Sequence, residues 1–196
     1  MSKKLRIAVA DDEIEMRDYF TTILPRMGHT VLVASSNGRE LVEQCKIAKP
    51  DLVITDIKMP DMDGIEAVRL LYADRPVPVI LVSAYHDPAF IERAEQGEVL
   101  AYLIKPIKRS DLETAIAIVI RRFSQFQGML KETVELKQTL ADRKIIEKAK
   151  GVLMKKGGFD ENEAYRRLQK IASDKNKKLI EIAGSILMAN EAFGLN

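Results

Sequence analysis

Between Leu5 and Lys105, five short apolar runs alternate with stretches of helical spacing, and the connections between them are short. The runs are 5–10, 30–34, 51–55, 78–82 and 100–104. Residues 13–27 carry Ile14, Tyr19, Phe20, Ile23 and Leu24 at helical spacing, and Gly28 follows as a stop. Asn37 is placed to cap a second helix that reaches Ala48 before Pro50, a third is predicted from Gly64 to Ala73, and a fourth near 88–96. Such strict alternation predicts a parallel sheet covered by helices on both faces. Ligands on these sheets bind outside the carboxyl ends of the strands. The residues that close the runs are therefore the candidates for chemistry.

Those residues are Asp11 and Asp12, Asp56, Ser83 and Lys105. Three carboxylates, a hydroxyl and an ammonium converging in one cleft suit a carboxylate that accepts a phosphoryl group beside Mg2+. The attack of one anion on another needs a cation to neutralise the developing charge. Mg2+ prefers oxygen ligands, which Asp11, Asp12, Asp56 and the backbone carbonyl of Lys58 can supply. Lys105 and Ser83 can hold phosphoryl oxygens as a point charge and a hydrogen-bond donor. Pro106 after Lys105 is compatible with a cis peptide that points the lysine inward.

Beyond Ser110 the pattern changes. There is no proline and a single glycine, Gly128, up to Leu140. Ile116, Val119, Phe123, Phe126 and Leu130 follow alternating three- and four-residue steps, the spacing of a coiled-coil seam, which then drifts to Val134 and Leu140. The first part of this helix has a sheet to pack on. The later part is expected to pair with a second copy of the chain. Residues 142–193 read as three short helices. The first, with Ile145, Ala149, Val152 and Leu153 on one face, stops at Gly157-Gly158. Asp160 and Glu163 form a capping box for the second, and Leu179, Ile182, Ala183, Ile186 and Leu187 mark the third.

Residues 5–122 resemble the receiver domain of two-component response regulators. The resemblance rests on Asp11-Asp12, on Asp56 with Met59-Pro60 and Asp63-Gly64, on Ser83-Ala84, and on Tyr102 ahead of Lys105-Pro106. It implies a flavodoxin-like, doubly wound, five-stranded parallel sheet, phosphorylation of Asp56 by a sensor histidine kinase, and Ser83 with Tyr102 as a switch pair. The stretch Glu95-Gln96-Gly97-Glu98 before the last strand is less regular than the family pattern. Residues 136–189 resemble the ANTAR domain, an RNA-binding three-helix module of transcription antiterminators. The match runs through Leu140, Arg143, Ile146, Ala149-Lys150-Gly151-Val152-Leu153-Met154, Glu163-Ala164-Tyr165, Leu168, Ala172, Asn176, Leu179, Ile182 and Ala183. The expected organisation is a receiver over 1–122, a long linker helix over 110–141 and an RNA-binding module over 142–196.

Charge agrees with that division of labour. Residues 1–123 hold 17 Lys and Arg against 19 Asp and Glu, whereas 140–178 hold 12 against 6. The basic segment fits an anionic partner, and an RNA hairpin is bound through phosphate contacts and by bases stacked on aromatic or guanidinium planes. Lys150, Arg166 and Arg167 are the expected contacts, with Tyr165 as a stacking platform and Arg143 as a further candidate. Two other readings compete. A DNA-binding response regulator also uses short helices and a basic face. A phosphohydrolase working through an aspartyl-phosphate usually needs a second acid close after the nucleophile, and Lys58 stands two residues after Asp56. The single cysteine, Cys45, excludes an intrachain disulfide and is expected in the core. No apolar segment precedes the first strand and no run approaches the ~18 apolar residues of a membrane span, so the expectation is a soluble cytoplasmic protein.

Overall fold

The computed structural model describes residues 4–84 and 100–192. The helix expected near 88–96 and the segment Glu95 to Glu98 lie outside the described residues. Chain contacts divide the protein into two units, Met1–Gln127 and Gly128–Asn196.

The first unit is built on five parallel strands: β1 (Arg6–Ala10), β2 (Thr30–Ser35), β3 (Leu52–Asp56), β4 (Val79–Ser83) and β5 (Ala101–Ile104). They lie in the order β2-β1-β3-β4-β5, the flavodoxin-like arrangement. Period-two side-chain alternation explains why both faces are covered. Ala8 and Ala10 of β1, Val53 of β3, and Val79 and Leu81 of β4 point to one face. There they bury Leu41, Val42 and Cys45 of α2 (Gly38–Ala48), and Ile65, Val68 and Leu71 of α3 (Gly64–Asp74). Ile7, Val9, Leu52, Ile54, Ile80 and Val82 point to the other. They meet Phe20 and Leu24 of α1 (Ile14–Arg26), and Leu112, Ala115, Ile116 and Val119 of α4 (Arg109–Gly157). A strand apolar on both faces reads as a continuous run, which is how β1, β3 and β4 appear in the sequence.

Local signals set the helix ends. Asn37 caps α2, its side chain accepting from the Glu40 amide at 2.9 Å. Asp63 caps α3 by accepting from Glu66 N at 2.7 Å. The order reverses about β1, with β2 on one side and β3 on the other, so the crevice of the sheet opens at the carboxyl ends of β1 and β3.

Helix α4 does not end near Leu140. It runs unbroken for 49 residues, across the division between the two units. The separate helix expected from 142 is the end of this one. Nothing between Gly128 and Gly157 breaks a helix: the segment lacks proline, and Asp142 accepts a hydrogen bond from Gln138 at 2.7 Å along the helix face instead of capping a new start. The helix stops at Gly157-Gly158, where Gly158 takes a φ of +67°.

The second unit is a three-helix core made by the last part of α4, α5 (Glu161–Asp174) and α6 (Leu179–Ala192). Ala149, Leu168, Ala172, Ile182 and Ala183 are buried at its centre. The expected capping box is present at the start of α5, with Glu163 N donating to Asp160 Oδ1 at 2.8 Å and Asp160 N to Glu163 Oε2 at 3.2 Å.

Candidate functional site

The carboxyl end of β1 delivers Asp11 into the crevice, where it is fully buried. Its amide donates to the Ser35 carbonyl at 3.2 Å, tying it to the end of β2. Its Oδ1 accepts from Glu13 N at 3.0 Å. Asp56 closes β3 and is 6% exposed, with Oδ2 accepting from the Lys58 amide at 2.9 Å. The loop after it is held by close backbone approach. A Cβ on Gly64 would lie 1.9 Å from the Asp56 carbonyl oxygen, and one on Gly38 would lie 2.6 Å from that of Met62. These two glycines let the starts of α2 and α3 press on the loop that carries Asp56.

Lys105, just past β5, binds the cluster together. Its Nζ lies 3.0 Å from Asp11 Oδ2, 2.7 Å from Glu13 Oε1 and 3.4 Å from Asp56 Oδ1. The Lys105-Pro106 peptide is cis, and the Lys105 amide donates to the Ser83 carbonyl at 2.8 Å. Ser83 is buried at the end of β4. Tyr102 is half-buried against the α2–α3 side of the sheet. The structure thus brings Asp11, Asp56 and Lys105 into contact, sets Ser83 beside Lys105, and leaves Asp12 exposed next to them.

Two residues outside the expected set complete the site. Glu13 supplies the shortest contact to Lys105. Arg17 donates to the backbone carbonyls of Asp11 at 2.7 Å and Asp12 at 3.0 Å, fixing the turn between β1 and α1. Glu13 directly follows the Asp11-Asp12 pair, so its position alone was a usable signal. For Arg17 the only signal was helical phase from the end of β1.

Burial dominates the electrostatics. It pushes the Asp56 carboxyl up to about 6; Lys105 pulls it down, and neighbouring Asp11 pushes it further up. Asp11 is likewise raised by burial, against the pull of Lys105 and the Glu13 amide. Burial alone would lower Lys105, but Glu13, Asp11 and Asp56 together hold it above its ordinary value. The site is a pair of buried carboxyl groups clamped by the Lys105 ammonium.

The donor set fits a hard divalent cation. Carboxylate oxygens of Asp11, Asp12 and Glu13 lie within 4.8 Å of one another. Asp11 Oδ2 is buried and is paired with the Lys105 ammonium at 3.0 Å. An all-oxygen donor set of this kind suits Mg2+.

In the second unit the expected basic residues fall into two groups. Arg143, Lys150 and Tyr165 line one groove, together with Glu147, Glu161 and Asn162. Arg166 and Arg167 line another, with Phe159, Glu163 and Lys170, and the Arg167 guanidinium sits 4.6 Å from the centroid of the Phe159 ring. Arg143, Tyr165, Arg166 and Arg167 are exposed, whereas Lys150 is 7% exposed.

Residues 7–117 match the response regulator receiver domain, and residues 134–187 match the ANTAR domain. The chain therefore belongs to the response regulators of two-component systems, and within them to those that carry an ANTAR domain after the receiver. Over 182 residues it is 34% identical to the transcriptional regulatory protein PdtaR of Mycobacterium tuberculosis, a match spanning 93% of this chain and 89% of that protein. It is 33% identical over 112 residues to the chemotaxis protein CheY of Thermotoga maritima, covering 57% of this chain and 93% of that protein. A solved receiver domain protein from Clostridium thermocellum matches with a TM-score of 0.57 at 30% identity, over 62% of this chain and 98% of that one. No helix among the described residues is long and apolar enough to cross a membrane.

Proposed function

We propose that this chain is a phosphorylation-switched regulator that binds RNA hairpins through its ANTAR domain and acts in transcription antitermination, with a sensor histidine kinase as phosphoryl donor. The observation that carries the receiver half of this reading is the convergence of Asp11, Glu13 and Asp56 on the Lys105 ammonium at the crevice of the sheet. Asp56 is the phosphoacceptor. Above pH 6 or so its carboxylate is ionised, and one oxygen forms the new P–O bond as the P–N bond of a kinase phosphohistidine breaks. Asp11 and Asp12, with the Lys58 carbonyl and Asp56 itself, would hold Mg2+, which would supply positive charge beside the transferring phosphoryl group. Lys105 exchanges its carboxylate contacts for a phosphoryl oxygen, and Ser83 hydrogen-bonds another. The pull on Lys105 and Ser83 moves the β4 and β5 ends, with Tyr102 as the second switch residue.

Output runs through α4. Ile116 and Val119 of the spaced apolar series are buried in the receiver core, while Phe126, Leu130, Val134 and Leu140 are exposed large apolar side chains. An exposed seam of this length supports pairing with a second copy on phosphorylation. Two ANTAR domains side by side then gain by effective concentration on one RNA. The exposed Arg143, Tyr165, Arg166 and Arg167 form the proposed RNA surface, which Lys150 serves.

Labelling by acetyl phosphate tests the receiver half. Incorporation is expected to require Mg2+ and to disappear in Asp56→Asn; equal labelling of that variant contradicts the assignment. Stem-loop RNA and duplex DNA in competition separate the RNA reading from a DNA-binding one.

A further inference from the structure

Lys150 is the most enclosed cation of the ANTAR domain, and its surroundings differ from those of a phosphate contact. Its side chain is 8% exposed. The Nζ lies 2.9 Å from Glu147 Oε2, one turn back on α4, and 2.8 Å from Glu161 Oε1 in the first turn of α5. It also sits 5.9 Å from the centroid of the Tyr165 ring, one turn further along α5. The contacts bridge the Gly157-Gly158 turn, so Lys150 joins the start of α5 to α4. Two carboxylates already neutralise the ammonium. A phosphate approaching it would have to displace at least one of them and would meet their negative charge.

We infer that Lys150 is a positioning residue that, through Glu161 and Glu147, fixes the start of α5 and the Tyr165 ring for stacking on an RNA base, and that it does not contact RNA phosphate. The inference rests on the RNA-binding reading above. The ion pair adds little to stability, because Glu147 and Glu161 are 56% and 69% exposed at their side chains. Its effect is orientation. Lys150 and Tyr165 line the same groove, and Tyr165 still keeps 39% of its surface exposed. An aromatic plane aimed by a cation on one side and open on another is a stacking platform. The enclosure also gives Ala149 and Lys150 a structural sense: Ala149 is buried in the helical core and Lys150 reaches across to α5.

The two roles predict opposite signs for one substitution. If Lys150 touched phosphate, Glu161→Gln would free its charge and remove a repulsive carboxylate, and RNA would bind as well or better. If Lys150 positions Tyr165, the same change loosens the platform and RNA binds more weakly. The experiment uses the full chain, treated with acetyl phosphate and Mg2+, and stem-loop RNAs that the wild type selects from a pool with randomised loops. Affinity is measured at several salt concentrations beside thermal melts. Lys150→Met and Glu161→Gln are each expected to weaken binding by up to roughly 5- to 150-fold, the range spanned by loss of a stacked base. The salt slope should stay at the wild-type value, and the double variant should bind no more weakly than the weaker single one. The melting of the C-terminal unit should change little. Glu161→Gln binding as tightly as wild type overturns the inference, even where Lys150→Met fails to fold. So does a fall of about 0.7–0.9 in the salt slope on Lys150→Met, the signature of a lost phosphate contact. If the wild type selects no RNA, the RNA reading itself falls and this inference falls with it.

Discussion

Asp56→Asn is expected to stabilise the metal-free protein at neutral pH. Asp56 is 6% exposed, and burial raises its carboxyl from 3.8 to about 6 against the pull of Lys105. An acid whose folded pKa lies above its unfolded one binds more protons when folded between those two values. Its contribution to stability is therefore fully present below about pH 4 and is lost as pH rises through about 6. At 1.36 kcal/mol per pH unit, the gap between 3.8 and about 6 corresponds to roughly 3 kcal/mol withheld at pH 7.5. Asparagine removes the charge and keeps the shape, so the variant recovers up to that amount. For a unit of this size that is a rise in Tm of roughly 10 °C. The chain has no tryptophan, so helical circular dichroism or calorimetry in EDTA is the assay. The difference should vanish below about pH 4, where wild-type Asp56 is protonated in both states. Saturating Mg2+ should narrow it at neutral pH by stabilising the wild type through a ligand the variant lacks. A variant no more stable than wild type at pH 7.5 in EDTA would refute the electrostatic account of the site.

Three further outcomes test its other parts. Gly64→Ala places a Cβ 1.9 Å from the Asp56 carbonyl oxygen, a backbone atom that cannot step aside, so it should cost about 1–3 kcal/mol and depress acetyl phosphate labelling; full labelling at wild-type stability contradicts the packing argument. Lys105→Ala should leave some labelling of Asp56 while abolishing the gain in RNA affinity that follows it, and a retained gain argues against Lys105 as the coupling residue. Phe126→Glu or Leu130→Glu, at exposed positions of the α4 seam, should weaken dimerisation and RNA binding together in equilibrium sedimentation and titration; a phosphorylated chain that stays monomeric and binds RNA at full strength rules out the linker role.

The receiver was legible because its code is local. Strands apolar on both faces, such as Leu52 to Thr55, show as unbroken runs, and Asn37 announces the helix it caps. Asp11, Asp56, Ser83 and Lys105 could be placed together because a parallel sheet brings its strand ends to one edge. For Glu13 the sequence marks the place but not the contact. Its contact with Lys105 depends on the turn into α1 that Arg17 and the Glu13 amide build, and sequence periodicity does not encode turn geometry of that kind. The continuity of α4 past Leu140 was hidden for a related reason. A helix ends where its backbone groups find other partners, and the sequence between Gly128 and Gly157 offers none, so a change of packing partner left no mark. Lys150 is the sharpest case. Its place in a basic segment suggests an RNA contact, yet Glu147 and Glu161, separated from it by 3 and 11 positions, enclose it. Charge counts over a segment cannot tell a free lysine from a paired one.

The most direct test of the central claim is to sequence the RNA that copurifies with the wild-type chain and with Asp56→Asn from kinase-competent cells. Since Asp56→Asn is expected to fold at least as stably as wild type, loss of RNA cannot be assigned to unfolding. The account predicts stem-loop RNAs enriched with the wild type and depleted with the variant. Equal recovery of RNA by both proteins, or enrichment of DNA in place of RNA, would contradict it.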